Sequence, residues 1–240
     1  MRSYGQFCPV AKAAEVFCER WTALILRDLT CGVSRFSDLR RGVPLMSPTL
    51  LSRRLRQLEA EGVVERRRSA TGRGWSYHLT AAGEDFAPLV EALGVWGQRW
   101  SRRELVDGEV DLGLLLWALE EGARPEAFGA GRTVLRLELT DQPLGKRHWW
   151  FVNEDGRSTM CVDDPGFEVD LYLAVSLRDM IYIWRGDLPL GRALESGRLE
   201  LHGSTVLRRA FPTWLARSSL GSIETKRPIL RSMPAAAASL

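Results

Sequence analysis

Long hydrophobic runs are missing from this 240-residue chain. The longest, such as Leu112 to Leu119, fall well short of the roughly 20 apolar residues that a membrane-spanning helix needs, so no membrane partner is expected. Residues Met1 to Gln6 have no apolar stretch behind their charge. No secretory leader is expected from them, and a cytoplasmic location is. Cysteine is scarce: Cys8, Cys18, Cys31 and Cys161 show no C-x-x-C spacing, and the histidines are only His78, His148 and His202. That set gives no metal-ligand pattern, implies no cofactor, and argues against a disulfide framework. Gly-x-Ser-x-Gly, a phosphate loop and a readable Cys–His pair are all absent, so an enzyme is not expected. Lysine is nearly missing too: Lys12, Lys146 and Lys226 stand among otherwise arginine cations. Nothing mechanistic follows from that bias alone.

What is present is the balance of a globular protein, 45% hydrophobic and 26% charged, in a length that favours two domains. The charge is unevenly placed. Residues 1–106 hold 17 basic and 11 acidic side chains, and residues 35–80 alone hold ten arginines against Asp38, Glu59, Glu61 and Glu65. Such a stretch serves a nucleic-acid face or solvates a helical surface, and charge by itself does not separate the two.

The order of elements does separate them. Cys8-Pro9 opens a helical pattern to about Glu19, a second helix covers Leu24 to Leu29, and a short third runs from Phe36 to Arg41 before Gly42. Ser47-Pro48 is a strong helix start, with serine as N-cap and proline at the first helical position. Leu51, Leu55 and Leu58 then form one apolar stripe, which turns Thr49, Ser52, Arg53 and Arg56 outward. Val63 to Arg68 and Trp75 to Leu79 read as two strands joined by a glycine-rich loop that carries Arg73. Helix, turn, helix and basic hairpin in this order make a winged helix-turn-helix. In that arrangement Ser47, Thr49, Ser52, Arg53 and Arg56 approach the major groove of double-stranded DNA, and Arg68 and Arg73 lie along a phosphate backbone or a narrow minor groove.

Phe7-Cys8-Pro9-Val10, Glu19-Arg20-Trp21-Thr22, Arg35-Phe36-Ser37-Asp38-Leu39, Ser47 to Leu55, Leu58 to Val64 and Tyr77 to Gly83 resemble the HxlR family of bacterial transcriptional regulators over roughly residues 5–104. The resemblance implies a homodimer whose interface comes from the N-terminal helix and a long helix after the wing. Residues Ala81 to Leu105 do carry a broad apolar face through Phe86, Leu89, Val90, Leu93, Trp96 and Trp100. That face meets either a second copy or the C-terminal domain. A two-fold dimer calls for an inverted-repeat operator. Some regulators of this kind are thiol sensors, and Cys8 occupies the corresponding place ahead of the first helix. A helix N-terminus lowers a thiol pKa, but an isolated cysteine is also a small buried hydrophobe.

After Val106 to Glu109 the pattern changes. Asp111 caps a helix to Glu121, Arg132 to Thr140 alternates with Leu135, Leu137 and Leu139 on one face, and His148 to Val152 pairs with Ser158 to Val162 across Asn153-Glu154-Asp155-Gly156. Glu168 to Val175 is a further strand. Ser176 caps a helix through Trp184; Leu190 to Leu194 is a short helix, Leu199 to Leu201 a short strand, and Ser204 to Leu215 the final helix. Strands grouped before helices make this an α+β fold. The expected division is residues 1–106, residues 107–215, and a low-complexity tail at 216–240.

Leu137 to Asp141, Trp149-Trp150, Asp164 to Asp170, Asp179 to Asp187, Leu199 to Gly203 and Arg209 to Leu215 look like a sterol-carrier-protein-type (SCP2-like) domain over about residues 110–215. That resemblance implies a five-stranded sheet with helices on one face and an apolar site for a hydrophobic small molecule. Trp117, Trp149, Met160, Tyr172, Met180, Trp184, Phe211 and Trp214 are the candidate ligand-lining residues, although alternation does not distinguish a cavity from a filled core. The expectation is a dimeric DNA-binding regulator whose operator affinity responds to a hydrophobic ligand in the C-terminal domain. The alternative is a regulator switched through Cys8, its C-terminal domain structural.

Overall fold

A computed structural model of the chain describes residues 3–68 and 74–226. The first half is helical: α1 (Pro9–Phe17), α2 (Thr22–Thr30), α3 (Phe36–Gly42) and α4 (Pro48–Ala60) precede a hairpin of β1 (Val64–Arg68) and β2 (Trp75–Leu79). Ser47 starts α4 as the sequence leads one to expect, its hydroxyl accepting the Leu50 N–H at 3.3 Å. The two strands are antiparallel, with Arg68 opposite Trp75, and Tyr77 N–H donates to Ser34 O at 2.8 Å, tying the wing to the turn before α3. Ile25, Leu26, Leu39, Leu51, Leu55, Leu58 and Val64 are buried together as one core.

The expected long helix over Ala81 to Leu105 is instead two helices and a wide turn. α5 (Ala81–Glu84) is followed by α6 (Ala87–Trp96), which continues as one π-helical turn over Gly97–Ser101. Pro88 stands in the first turn of α6. In a continuous helix its ring would collide with the Glu84 carbonyl and remove a hydrogen bond, so the helix restarts there. From Arg102 the backbone is extended. Leu105 N–H donates to the Tyr182 hydroxyl at 3.2 Å, and Arg178 donates to Leu105 O at 2.6 Å.

The second half comprises α7 (Leu112–Gly122), β3 (Thr133–Leu139), β4 (His148–Glu154), β5 (Arg157–Cys161), β6 (Leu171–Val175), α8 (Leu177–Arg185), α9 (Leu190–Glu195), β7 (Leu199–Gly203) and α10 (Thr205–Trp214). The sheet has five strands in the order β5-β4-β3-β6-β7, with β3 and β6 parallel. Asp155 and Gly156 both have positive φ (50° and 70°) between the paired Glu154 and Arg157. That is the two-residue turn whose twist suits a hairpin. Leu135, Leu137 and Leu139 share a face with Phe151, Leu171 and Leu173. α7, α8, α9 and α10 cover that face, and Phe211 and Trp214 are fully buried against it. Ser176 and Ser204 cap α8 and α10 by accepting the Asp179 and Leu207 N–H groups. The fold is α+β, a winged helix-turn-helix followed by a five-stranded sheet with helices on one side.

α7 belongs to both cores. Leu115, Leu116 and Leu119 pack into the sheet side, while Trp117 is buried in the helix-turn-helix core with Leu114 and Ala118 beside it.

Candidate nucleic-acid interface and C-terminal core

On α4 the inward stripe of Leu51, Leu55 and Leu58 leaves Thr49, Arg53 and Arg56 exposed and Ser52 half-buried. Positions 49, 52, 53 and 56 follow the spacing of one helix face, so these four side chains point the same way from the first turns. Ser47 is committed to its cap, and Arg56 Nε donates back to Ser52 O at 3.3 Å. On the wing, Arg66 lies 4.3 Å and Arg68 5.7 Å from the Trp75 ring centre. Arg73, expected at the tip, lies outside the described residues. Arg54 is a functional neighbour that the sequence did not single out. It is buried, donates to Glu19 at 3.0 Å and to Gln57 at 2.8 Å, and thereby pins α4 to the turn that follows α1. Glu19 heads the Glu19-Arg20-Trp21-Thr22 motif. Asp28, also buried, accepts from Arg27 at 2.8 Å, and burial pushes its carboxyl above the ordinary 3.8 despite that partner. Breaking a buried pair by removing one partner is costly, because the other charge is left without compensation.

α6 has no fully buried residue. Leu89, Leu93, Trp96 and Trp100 are 52%, 49%, 59% and 44% exposed, and Phe7 and Val10 ahead of and on α1 are exposed as well. Cys8 is the residue just before α1 and is half-buried. Burial, then the Asp28 carboxylate, pushes the Cys31 thiol up, and burial, then Glu120, does the same to Cys161. Neither is poised as a thiolate.

The eight candidate ligand residues do not all meet. Met180, Phe211 and Trp214 are buried in the sheet–helix core, and Trp149, Met160 and Trp184 pack at its margin. Trp214 stacks on Phe211 and Phe128 at 5.8 Å each, meets Phe151 edge-on at 5.5 Å, and donates its indole N–H to Asn153 at 2.6 Å. Trp117 is in the other core. Tyr172 is on the opposite sheet face, where Arg136 lies about 6 Å from both it and Trp150. Asp164 and Asp170 hold backbone instead: Asp164 accepts the Gly166 N–H and Asp170 the Val134 N–H, each at 2.8 Å.

Polar side chains join the halves at several places, two of them on α7 and near the end of α6. Glu120 on α7 accepts from Arg41 on α3 at 3.1 Å and from the Met160 N–H on the edge strand β5 at 3.0 Å. Burial and the neighbouring Glu120 and Asp38 carboxylates push Glu121 upward at the same junction. Farther along, Arg102 pairs with Asp187, and Gln98 donates to Arg185 O at 3.3 Å.

With this geometry in place, comparison with known proteins is informative. The HxlR-like helix-turn-helix model matches residues 16–105. The HTH-type transcriptional regulator YvaP of Bacillus subtilis (strain 168) is 36% identical over 105 residues, covering 43% of this chain and 97% of that protein. The chain belongs to the HxlR-like helix-turn-helix family. YkvN of the same organism, also named an HTH-type transcriptional regulator, is 31% identical across 44% of this chain and 90% of its own. The reduced form of the B. subtilis regulator YodB is a solved structure similar over 39% of this chain and 93% of its own, at 28% identity and a TM-score of 0.35. The SCP-2 sterol transfer family model matches residues 114–215, the part that holds the five-stranded sheet. An HxlR-type helix-turn-helix and an SCP2 domain therefore occupy one chain of a DNA-binding transcriptional regulator. Among the described residues, no helix is long and apolar enough to cross a membrane, and no cluster of three or more His, Cys, Asp or Glu could hold a metal ion.

Proposed function

We propose that the protein binds an inverted-repeat operator as a homodimer, and that a hydrophobic small molecule held by the C-terminal domain changes its operator affinity. Thr49, Ser52, Arg53 and Arg56 meet the major groove, with Arg68 and Arg73 on the flanking backbone. The exposed apolar face of α6, with Phe7 and Val10, supports a contact between two copies. Apolar side chains on this scale stay exposed on a monomer at the risk of aggregation.

The observation that carries the ligand response is the double membership of α7. A helix with Trp117 in one core and Leu115, Leu116 and Leu119 in the other cannot move for one without disturbing the other. The Met160–Glu120–Arg41 chain links the sheet edge to α3, directly ahead of the turn into the recognition helix. A ligand accommodated beside the adaptable Met160 and Met180 would shift β5 and α7, and with them α3. It alters DNA affinity only through unequal affinity for the two arrangements.

Selection from random duplexes with the full chain tests the DNA part. An inverted repeat with half-sites about one turn apart is expected; a single asymmetric site would overturn the dimer. Arg53→Ala should cost about 1–3 kcal/mol on the selected site and little on random DNA. For the ligand part, the protein is stripped of small molecules over a hydrophobic resin, and the operator affinities of stripped and unstripped protein are compared. Equal affinity would refute ligand control. A response that vanishes in Cys8→Ser would transfer the switch to the thiol ahead of α1.

A further inference from the structure

After α10 the chain does not leave the molecule. Ser218 N–H donates to Trp184 O at 3.0 Å, a 3-10 turn covers Ser219–Ser222, and Gly221 runs against Gly186 so closely that a Cβ on Gly186 would meet Gly221 O at 2.3 Å. Leu220 then lies on α6, where a Cβ on Gly94 would meet its Cδ1 at 2.6 Å. The Arg99 carbonyl in the π-helical turn accepts from Lys226 N–H at 2.8 Å and from the Thr225 hydroxyl at 3.3 Å. Residues 216–226 thus form a strap from the C-terminal domain to the helix with the exposed apolar face.

Where the strap leaves α10 it closes one side of a cavity of about 410 Å3. Arg124 and Arg217 stand at its walls together with the hydroxyls of Thr213, Ser218 and Ser222, and no carboxylate lines it. Both arginines are exposed, and neither guanidinium has an ion pair or hydrogen bond to another described residue. Ser218 uses its oxygen to accept the Leu220 N–H, which leaves its O–H to donate. Pro189, Pro212 and Leu215 supply the apolar part of the lining. The two guanidiniums bring donors and positive charge, and the three hydroxyls can each donate as well as accept, a lining that suits an anion.

We propose that this cavity is an oxyanion site that takes a carboxylate or phosphate group, with Arg124 and Arg217 as its cationic walls and Thr213, Ser218 and Ser222 as hydroxyl donors. The two arginines come from different segments, Arg124 following α7 and Arg217 on the strap. An anion between them therefore draws the strap toward the end of α7 and braces its far end on α6. That consequence for DNA binding rests on the regulator reading proposed above, whereas the anion site does not.

The test is calorimetric titration of the full chain with inorganic phosphate, with decanoate below its micelle concentration, and with decanol. At least one of the two anions should bind, and Arg124→Gln with Arg217→Gln should weaken that binding about tenfold or more, as expected for loss of charge-assisted hydrogen bonds. Arg217→Lys should recover part of it, and decanol should not distinguish the variants. Phosphate alone binding would identify a free-ion site, and decanoate alone the head group of an amphiphile. Absence of binding by both anions, or equal binding by the double variant, would overturn the proposal. Operator affinity measured with and without the bound anion is a separate readout. A change supports the bracing role, and constancy removes that role while leaving the site in place.

Discussion

Trp214 in the C-terminal half is 1% exposed, while Trp96 on α6 in the N-terminal half is 59% exposed. The charged groups are distributed the other way round. Among the described residues, the helix-turn-helix core buries Asp28 and Arg54, whereas the sheet core buries only the neutral Thr133 and Asn153 among polar residues. One half buries Phe151, Phe211 and Trp214 together and pairs its buried Asn153 with the neutral Trp214 indole. The other keeps charges inside and apolar side chains outside. The C-terminal half completes its own core, whereas the N-terminal half leaves Arg53 and Arg56 on α4 and Leu89, Leu93, Trp96 and Trp100 on and after α6 exposed, the surfaces that the proposed function assigns to DNA and to a second chain. The contrast is sharpest where the two meet, on α7.

The contrast is most strongly tested inside the sheet core. Trp214→Ala removes the ring that Phe128, Phe151 and Phe211 pack against and leaves Asn153 without its indole donor. We expect a loss of about 3–5 kcal/mol in denaturant unfolding, the usual range for a large aromatic truncated in a packed interior. A loss below about 1 kcal/mol would mean that the core already contains space, and the contrast between closed and open halves would fail.

The corresponding change on the open side should behave in the opposite way. Trp96→Ala with Trp100→Ala removes two large exposed side chains, so the unfolding of the single chain should barely move. Association should suffer instead. Two central aromatic anchors at about 2 kcal/mol apiece weaken a dimer by roughly a thousandfold. Sedimentation equilibrium at low concentration reads this directly, and an unchanged dimer population would take α6 out of the interface.

How far this contrast was legible in the sequence depends on the range of the interaction. Ser47-Pro48, Ser176, Ser204 and the Asp155-Gly156 turn are local signals, and each sits where its chemistry places it. The alternation of Leu135, Leu137 and Leu139 likewise sufficed for a half-buried strand. The same period-two logic puts Tyr172 on the far face, since Leu171 and Leu173 on either side of it are buried. Residue type alone places Tyr172 with the ligand-lining candidates, against that alternation. Pro88 was an equally readable break in the long helix. Arg54 was not readable, because its partner Glu19 is 35 residues away and its neighbours Arg53 and Arg56 are exposed. Trp117 and Leu220 belong to the same class. α7 is apolar around most of its circumference, which marks a helix buried on two sides but does not name the second side. Leu220 lies in a segment whose composition reads as a tail, yet it packs on Gly94.

The smallest expected effect concerns the buried charges. Asp28 has a folded-state value raised above 3.8 by burial, with Arg27 opposing the shift only in part. A raised acid binds its proton more tightly in the folded chain. Its contribution to stability is therefore complete below pH 3.8 and is lost as pH rises through the folded value. Asp28→Asn removes this dependence, so the stability difference, variant minus parent, should rise with pH from about 3.8 upward and then level off. The buried Asn153–Trp214 pair carries no titrating group and adds no such slope. Thermal melts of parent and Asp28→Asn across that window decide the matter. A flat difference would mean that Arg27 compensates the Asp28 carboxylate fully.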